Sequence, residues 1–163
     1  MDRDEKVERV HDAHAVDVCE CREGTKKWDG AGGDEQWNNP LNWMPDGCPL
    51  SSDDVILDHQ YLSASYAVRV MDTSSITIKS LTIVSDPSRR IELIVPAQNQ
   101  CTPALHMEGT GQSLVIGSYG TLINRSGATA GNPITMNGKM VIQSNGMYRH
   151  ESLRGNALLV SLS

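Results

Sequence analysis

The chain contains no phenylalanine, and aromatic residues make up only 4% of its 163 residues. A core must therefore be built from Val, Ile, Leu and Met, a composition typical of β-solenoid packing. No apolar run reaches the ~18 residues that a membrane-spanning helix needs. The charged start, Met-Asp-Arg-Asp-Glu-Lys, lacks the apolar segment of a signal peptide. These absences leave two alternatives, a cytoplasmic protein or a piece of a longer, exported precursor.

Basic runs are also missing, and the net charge is -6 with a pI near 5.3. An acidic surface offers nothing to a nucleic-acid backbone or an anionic membrane, so neither is predicted as a partner. Four cysteines fit neither a dense disulfide scaffold nor a metal ribbon. The one cluster of soft metal ligands lacks zinc-site spacing and lies in a charged segment, residues 1–23, that we predict to be disordered. Its members are His11, His14, Cys19 and Cys21.

What the chain does contain is an internal repeat. Pro103–Gly120 returns as Pro133–Gly146, and both copies hold Met-x-Gly followed by Val-Ile-x-Ser-x-Gly. A repeat of this length predicts stacked structural units. Each copy holds two short β-rich runs and nothing long enough for a helix of ~10 residues. The sequence therefore predicts an all-β fold, a right-handed parallel β-helix, or β-solenoid.

Side-chain alternation predicts which residues of the repeat are buried, because the outer two residues of each Leu-Val-Ile or Met-Val-Ile triplet share one strand face. We expect four side chains inside the coils, namely Leu114, Ile116, Met140 and Ile142. Val115 and Val141 should point to the opposite face. Gly120 and Gly146 are predicted at corners, where positive φ or a close backbone approach favours glycine.

Degenerate copies extend the repeat in both directions. Leu81-Thr82-Ile83 resembles the triplet that begins at Leu114, and Gly155–Val160 echoes Gly131–Met136. We therefore assign residues 61–163 to solenoid coils and expect them to continue beyond the end of the chain. An unfinished coil would leave Leu158 or Val160 uncovered and favour self-association. Other predicted strands are Val55–Leu57, Tyr66–Met71, Ile76–Val84 and Arg90–Val95.

All three tryptophans, Trp28, Trp37 and Trp43, lie close together in a segment rich in turn formers. We predict that residues 24–60 form an irregular cap that leads into the first strand. The indole rings would either form a stacking platform for sugars or cover the open end of the solenoid. We favour the cap and keep glycan binding as the alternative.

Aspartates in the same segment could bind calcium. Asp29, Asp34 and Asp46 would supply the oxygen ligands, although their spacing matches neither the helix-loop-helix calcium pattern nor the Gly-Gly-x-Gly-x-Asp repeat. The competing interpretation is that these aspartates cap turns through backbone N–H groups. No other cofactor is predicted.

Catalytic chemistry would need acid, base and cationic groups on one face of neighbouring coils. The outward candidates are His106, Glu108, Arg149 and His150. Alternation alone puts polar residues opposite an apolar face, so we interpret them as a solvated surface. Cys48 and Cys101 could form a disulfide in an exported protein, although spacing does not show that they are close.

The lead-in motifs carry a resemblance. Trp-x-Gly, Trp-x-x-Pro-x-Asn-Trp and Asp-Asp-Val-Ile are similar to a module of large exported surface proteins sent out by the type IX secretion route, over about residues 26–150. The similarity to the G8 module of carbohydrate-processing surface proteins is weaker. Cys48 lies where the first family commonly has an aliphatic residue.

This resemblance implies an extracellular or cell-surface location and a non-catalytic structural or adhesion role with glycan contact. The alternative is the N-terminal part of a β-helical polysaccharide-active enzyme, a lyase, hydrolase or epimerase. Convergence of His106, Glu108 and Arg149 in a groove across the coils would favour the enzyme.

Overall fold

The computed structural model describes residues 24–152 and 159–160, and the regular structure there is almost entirely strand. The strands are β1 (Thr25–Trp28), β2 (Trp43–Met44), β3 (Asp54–Leu57), β4 (Tyr66–Arg69), β5 (Ile76–Ile78), β6 (Ser80–Ile83), β7 (Ile91–Val95), β8 (Leu105–Met107), β9 (Gln112–Ile116), β10 (Gly120–Asn124), β11 (Ile134–Met136), β12 (Lys139–Ile142), β13 (Met147–His150) and β14 (Leu159–Val160). Within these residues the one helix is the single 3-10 turn Pro40–Asn42. No helix of this part is long and apolar enough to span a bilayer.

The strands form three sheets that are parallel except for β2, and each coil contributes one strand to each sheet. Sheet A has the order β12-β9-β6-β3-β1-β2, sheet B the order β13-β10-β7-β4, and sheet C the order β14-β11-β8-β5. The first coil is thus β3-β4-β5, and three more follow in the same pattern. The predicted all-β solenoid is confirmed.

The repeats of the sequence are paired with one another in the sheets. Met107 pairs with Met136, the methionine of the next copy, and Met136 pairs with Val160, as the echo in Gly155–Val160 predicts. Leu81 pairs with Leu114, so the degenerate triplet is a true copy. The coils differ in length at their loops, and the strand register is regular except for one shift between Lys139 and Met140, where β12 pairs with β9. The predicted exposed edge at Leu158 and Val160 concerns side chains outside the described part.

The core consists of rows of apolar side chains that run from coil to coil inside the three sheets. Successive members of a row are about 4.8 Å apart, and each buried Leu or Ile contributes about 1.5–3 kcal/mol. Four of these buried rows are Val55-Leu81-Leu114 and Leu57-Ile83-Ile116 in sheet A, Val68-Leu93-Leu122 in sheet B, and Ile78-Met107-Met136 in sheet C.

The burial prediction holds for the third coil and fails for the fourth. Leu114 and Ile116 are fully buried, Met140 is only partly buried, and Ile142 is 44% exposed. The prediction for Ile142 is therefore wrong. Strand β12 pairs with β9 on one side and with no described strand on the other, so its inward side chains lie at the open end of the stack.

Two glycines allow the coils to turn the corner between sheets A and B. A Cβ on Gly120 would lie 2.5 Å from the carbonyl oxygen of Ile83, and a Cβ on Gly146 would clash in the same way with the carbonyl oxygen of Ile116. Close approach therefore selects glycine here. The positive φ angles belong to the preceding residues, 58° at Tyr119 and 64° at Asn145.

The cap is more regular than predicted. The structure contains β1 and β2 where the sequence indicated an irregular loop. Strand β1 pairs in parallel with β3 of the first coil and antiparallel with β2, so sheet A continues through the cap. The edge that remains, β2, has two residues and offers little to an unwanted partner strand.

Candidate functional site

The three tryptophans form one buried cluster. Trp43 is fully buried and meets Trp28 and Trp37 edge-on, with ring centroids 5.0 and 4.7 Å away. Its indole Nε1–H donates a hydrogen bond of 2.8 Å to the Trp37 carbonyl oxygen. Trp28 stacks on Tyr66 of the first coil, and the cluster is continuous with the solenoid core.

This arrangement is the one that the cap interpretation predicts. The rings of Trp28, Trp37 and Trp43 present no exposed face on which a sugar could stack. A glycan-binding role for these three rings would require the cap to open.

A carboxylate organises the loop that carries these rings. Asp34 accepts hydrogen bonds from the Asn42 side-chain amide at 2.7 Å, from the Asn39 amide at 3.0 Å and from the Gln36 backbone N–H at 3.0 Å. The Gln36 bond and then the two amides hold the pKa of Asp34 below its ordinary value. Asn42 is itself fully buried, so Asp34 connects the turn to the packed part of the cap.

The structure gives other contacts to the three possible calcium ligands, Asp29, Asp34 and Asp46. No group of three or more His, Cys, Asp or Glu side chains within the described residues is arranged to hold a metal. Asp29 accepts instead from the backbone N–H of Ala31 at 3.1 Å, and Asp34 has the contacts just given. Asp46 contributes its backbone carbonyl, which accepts from Lys26 at 3.1 Å. The turn-capping interpretation is correct for Asp29 and Asp34.

The two described cysteines, Cys48 and Cys101, are free thiols in the structure, and the bridge that the sequence left open is not formed between them. Cys48 donates to the Asn38 carbonyl at 3.2 Å, and burial raises the pKa of its thiol against the opposing charge of Lys26. The other candidate ligands lie in residues 1–23, outside the described part, namely His11, His14, Cys19 and Cys21.

The candidate catalytic residues do not converge. His106 lies on β8 in sheet C, where its Nδ1 is 2.7 Å from the Thr135 hydroxyl of the next coil. Glu108 directly follows the same strand. Arg149 and His150 lie on β13 in sheet B. Because these sheets are different faces of the solenoid, His106 and Glu108 form no common cleft with Arg149.

A groove of about 500 Å³ crosses the corner of sheets A and B and the outer face of sheet B. Three coils line it, and its outward row on sheet B is Glu92-Thr121-Met147. Other lining residues are Arg89, Arg90, Tyr119, Asn145 and Arg149. Glu92 and Arg90 also line a second depression of about 380 Å³ toward the cap.

The arginines of the groove differ in their hydrogen-bond and ion-pair partners. Arg89 donates to Asp86 at 2.6 Å, and this bond is the largest cause of the strongly lowered pKa of Asp86. Arg149 forms an ion pair with Glu151, which also accepts from Arg125 at 2.5 Å. Among the described residues the Arg90 guanidinium makes neither a hydrogen bond nor an ion pair.

Sequence reasoning missed this groove because its residues come from separate coils. One feature of the sequence could have pointed to it. The position before the last glycine of Val-Ile-x-Ser-x-Gly differs between the copies, with Tyr119 in one and Asn145 in the next.

Comparison of the chain with family models, curated proteins and solved structures gave no significant match. The function is therefore argued from the residues themselves.

Proposed function

We propose that the chain is a non-catalytic structural module of a secreted or cell-surface protein, and that it contacts glycans through sheet B. The observation that carries this proposal is the open groove across three coils. It combines an exposed tyrosine ring, at Tyr119, with the arginine and amide groups of Arg90 and Asn145. Sugars are bound by such mixtures of aromatic faces and polar donors.

A repeating polymer also matches a repeating protein face. Strand spacing places equivalent side chains of adjacent coils about 4.8 Å apart along the groove. The outward row Glu92-Thr121-Met147 thus presents three coils in series to one extended ligand. A polysaccharide can follow such a row without any change in the fold.

The groups in the groove favour binding over catalysis. Asp86 accepts a hydrogen bond of 2.6 Å from Arg89, so this carboxylate is paired with a cation of the groove. His106, which would complete an acid–base set, lies on sheet C, and Glu108 directly follows the same strand. The polysaccharide-active alternative therefore has less support in residues 24–152.

The location outside the cell is part of the proposal and is supported by the resemblance of the Trp-rich lead-in to exported surface modules. An antibody against the full chain should label intact producing cells or detect the protein in the medium. Signal found only after cell lysis would contradict this part.

The binding function is tested with the purified full chain and immobilised polysaccharides, both neutral and acidic. We expect retention on at least one polysaccharide, with its chain length and number of reducing ends unchanged. New reducing ends or unsaturated uronate products would establish the enzyme instead. Failure to bind any polysaccharide would remove glycan contact from the proposal.

A further inference from the structure

We infer that the groove on sheet B selects negatively charged polysaccharides, with Arg90 and Arg149 binding the anionic groups and Tyr119 packing on a sugar ring. The inference rests on the proposed glycan-contact function and names the ligand class at that site. The carboxylate of a uronate and the sulfate of a sulfate ester each present two neighbouring anionic oxygens. A guanidinium group binds such a pair of oxygens through two parallel hydrogen bonds.

The charge of the groove differs from that of the whole protein. Three arginines, Arg89, Arg90 and Arg149, line it against two carboxylates, Asp86 and Glu92. The excess of one positive charge remains when Glu151, which pairs with Arg149, and Arg125, which shares Glu151, are counted as well. The chain as a whole carries a net charge of -6. A locally positive groove on an acidic protein attracts an anionic polymer to this place and repels it elsewhere.

Arg90 is the arginine that is most available to a ligand. Arg89 is held by Asp86, whereas Arg90 is exposed and has no side-chain partner among the described residues. Arg149 shares Glu151 with Arg125, so one carboxylate balances two guanidinium groups there. Both Arg90 and Arg149 therefore have donors to offer to an incoming anion.

Tyr119 supplies an independent observation. Its φ of 58° lies in the left-handed region, which a bulky side chain rarely adopts, and the next coil has Asn145 at the same corner with φ 64°. Asparagine adopts this backbone conformation at a lower energetic cost than tyrosine does. A tyrosine at a strained backbone position, in a residue that is 37% exposed at the groove, is explained by a use for its ring.

The negative charge of Glu92 opposes the binding of an anion. Removing this charge should therefore increase the affinity for an acidic polysaccharide. Glu92 lies in the outward row of sheet B that lines the groove, and no partner neutralises it among the described residues. Glu92→Gln keeps the size of the side chain and removes its charge. This variant should bind an acidic polysaccharide more tightly than the parent does.

The experiment measures the Kd of the full chain for alginate, dextran sulfate and neutral dextran. We expect both acidic polymers to bind more tightly than dextran, with an affinity that falls as salt is added. Arg90→Ala should weaken alginate binding by about 10-fold, the equivalent of one charged hydrogen-bond pair. Tyr119→Asn should weaken it several-fold and keep the melting temperature at or above that of the parent.

Lys139→Ala is the matched control, because Lys139 is exposed on sheet A and its loss changes the net charge by the same amount. Equal Kd values for Arg90→Ala and Lys139→Ala, or equal binding of dextran and alginate, would overturn the groove inference and leave general glycan contact intact. No binding to any of the three polymers or to the wider polysaccharide panel would remove the proposed glycan-contact function as well. Binding to alginate alone would assign carboxylate as the recognised group, and binding to both acidic polymers would assign anionic sugars in general.

Discussion

The backbone N–H of Tyr119 donates a hydrogen bond of 3.1 Å to the carbonyl oxygen of Asn145, one coil further along the solenoid. Both residues have positive φ, and each is followed by a glycine that packs against the backbone of the preceding coil. The same left-handed corner is thus stacked on itself. The corner requires the left-handed backbone conformation but not the tyrosine ring. The role of Tyr119 in the corner and the role of its ring in the groove can therefore be tested separately.

Tyr119→Asn should raise the free energy of unfolding by about 1 kcal/mol, because asparagine relieves the cost of the left-handed conformation. Urea denaturation followed by circular dichroism measures this change. The control, Asn145→Ala, should lower stability by a similar amount. A loss of stability in Tyr119→Asn would show that packing of the ring outweighs the backbone strain.

Ile116→Asp and Ile142→Asp compare one register position in two neighbouring coils. Ile116 is fully buried and Ile142 is 44% exposed. A buried unpaired charge at 116 should cost about 4 kcal/mol or more, whereas the variant at 142 should lose less than about 2 kcal/mol. Thermal or urea unfolding of both variants decides the comparison, and equal losses would mean that another segment covers the fourth coil.

Trp43→Ala should lower stability by about 3–5 kcal/mol, because the ring is fully buried between two other indoles. Trp43→Phe retains most of the packing but loses the hydrogen bond to the Trp37 carbonyl, at a cost of about 1–2 kcal/mol. Differential scanning calorimetry measures both. A Trp43→Ala variant as stable as the parent would contradict the cap as a structural element.

Asp34 should make the stability of the cap depend on pH. Its pKa in the folded protein is lowered, and an unfolded aspartate titrates near pH 3.9. The contribution is therefore complete above about pH 5 and is lost as the pH falls through the lower, folded-state pKa.

Asp34→Asn removes this titration, so the parent should lose its advantage over the variant below about pH 4. Melting temperatures of both proteins from neutral to acidic pH test this difference. Because the donors to Asp34 are neutral amides, added salt should change it little. A constant gap between the two proteins at all pH values would show that Asp34 has no such role.

Much of the fold could be predicted because each coil must place apolar side chains over those of its neighbours. The correspondence of Met107 with Met136 and of Leu81 with Leu114 is therefore visible in the sequence and present in the sheets. Strand β1 was not predicted, because it lies among turn formers. It is stabilised by pairing with β3, and the local sequence pattern does not show this contact.

The candidate site was much less predictable than the stack. His106, Glu108 and Arg149 share an outward position by alternation, but the bends between strands put them on different sheets. Asp34 looked like one of several possible metal ligands, and only its distances to Asn39 and Asn42 show that it is a hydrogen-bond acceptor for the loop.

The sequence by itself determined the coil as the repeating unit, its register and the glycines at its corners, because periodic burial of Leu, Ile and Met leaves a periodic trace in the chain. Tertiary structure decided which repeat is covered, so that Ile116 is buried and Ile142 is exposed although both have the same local pattern. It also decided that Arg90, Tyr119 and Arg149, from three coils, line one groove. The physical reason is that every coil must stack its inward apolar side chains on those of its neighbours. The relative positions of outward side chains depend instead on loop lengths and corner angles, which differ from coil to coil.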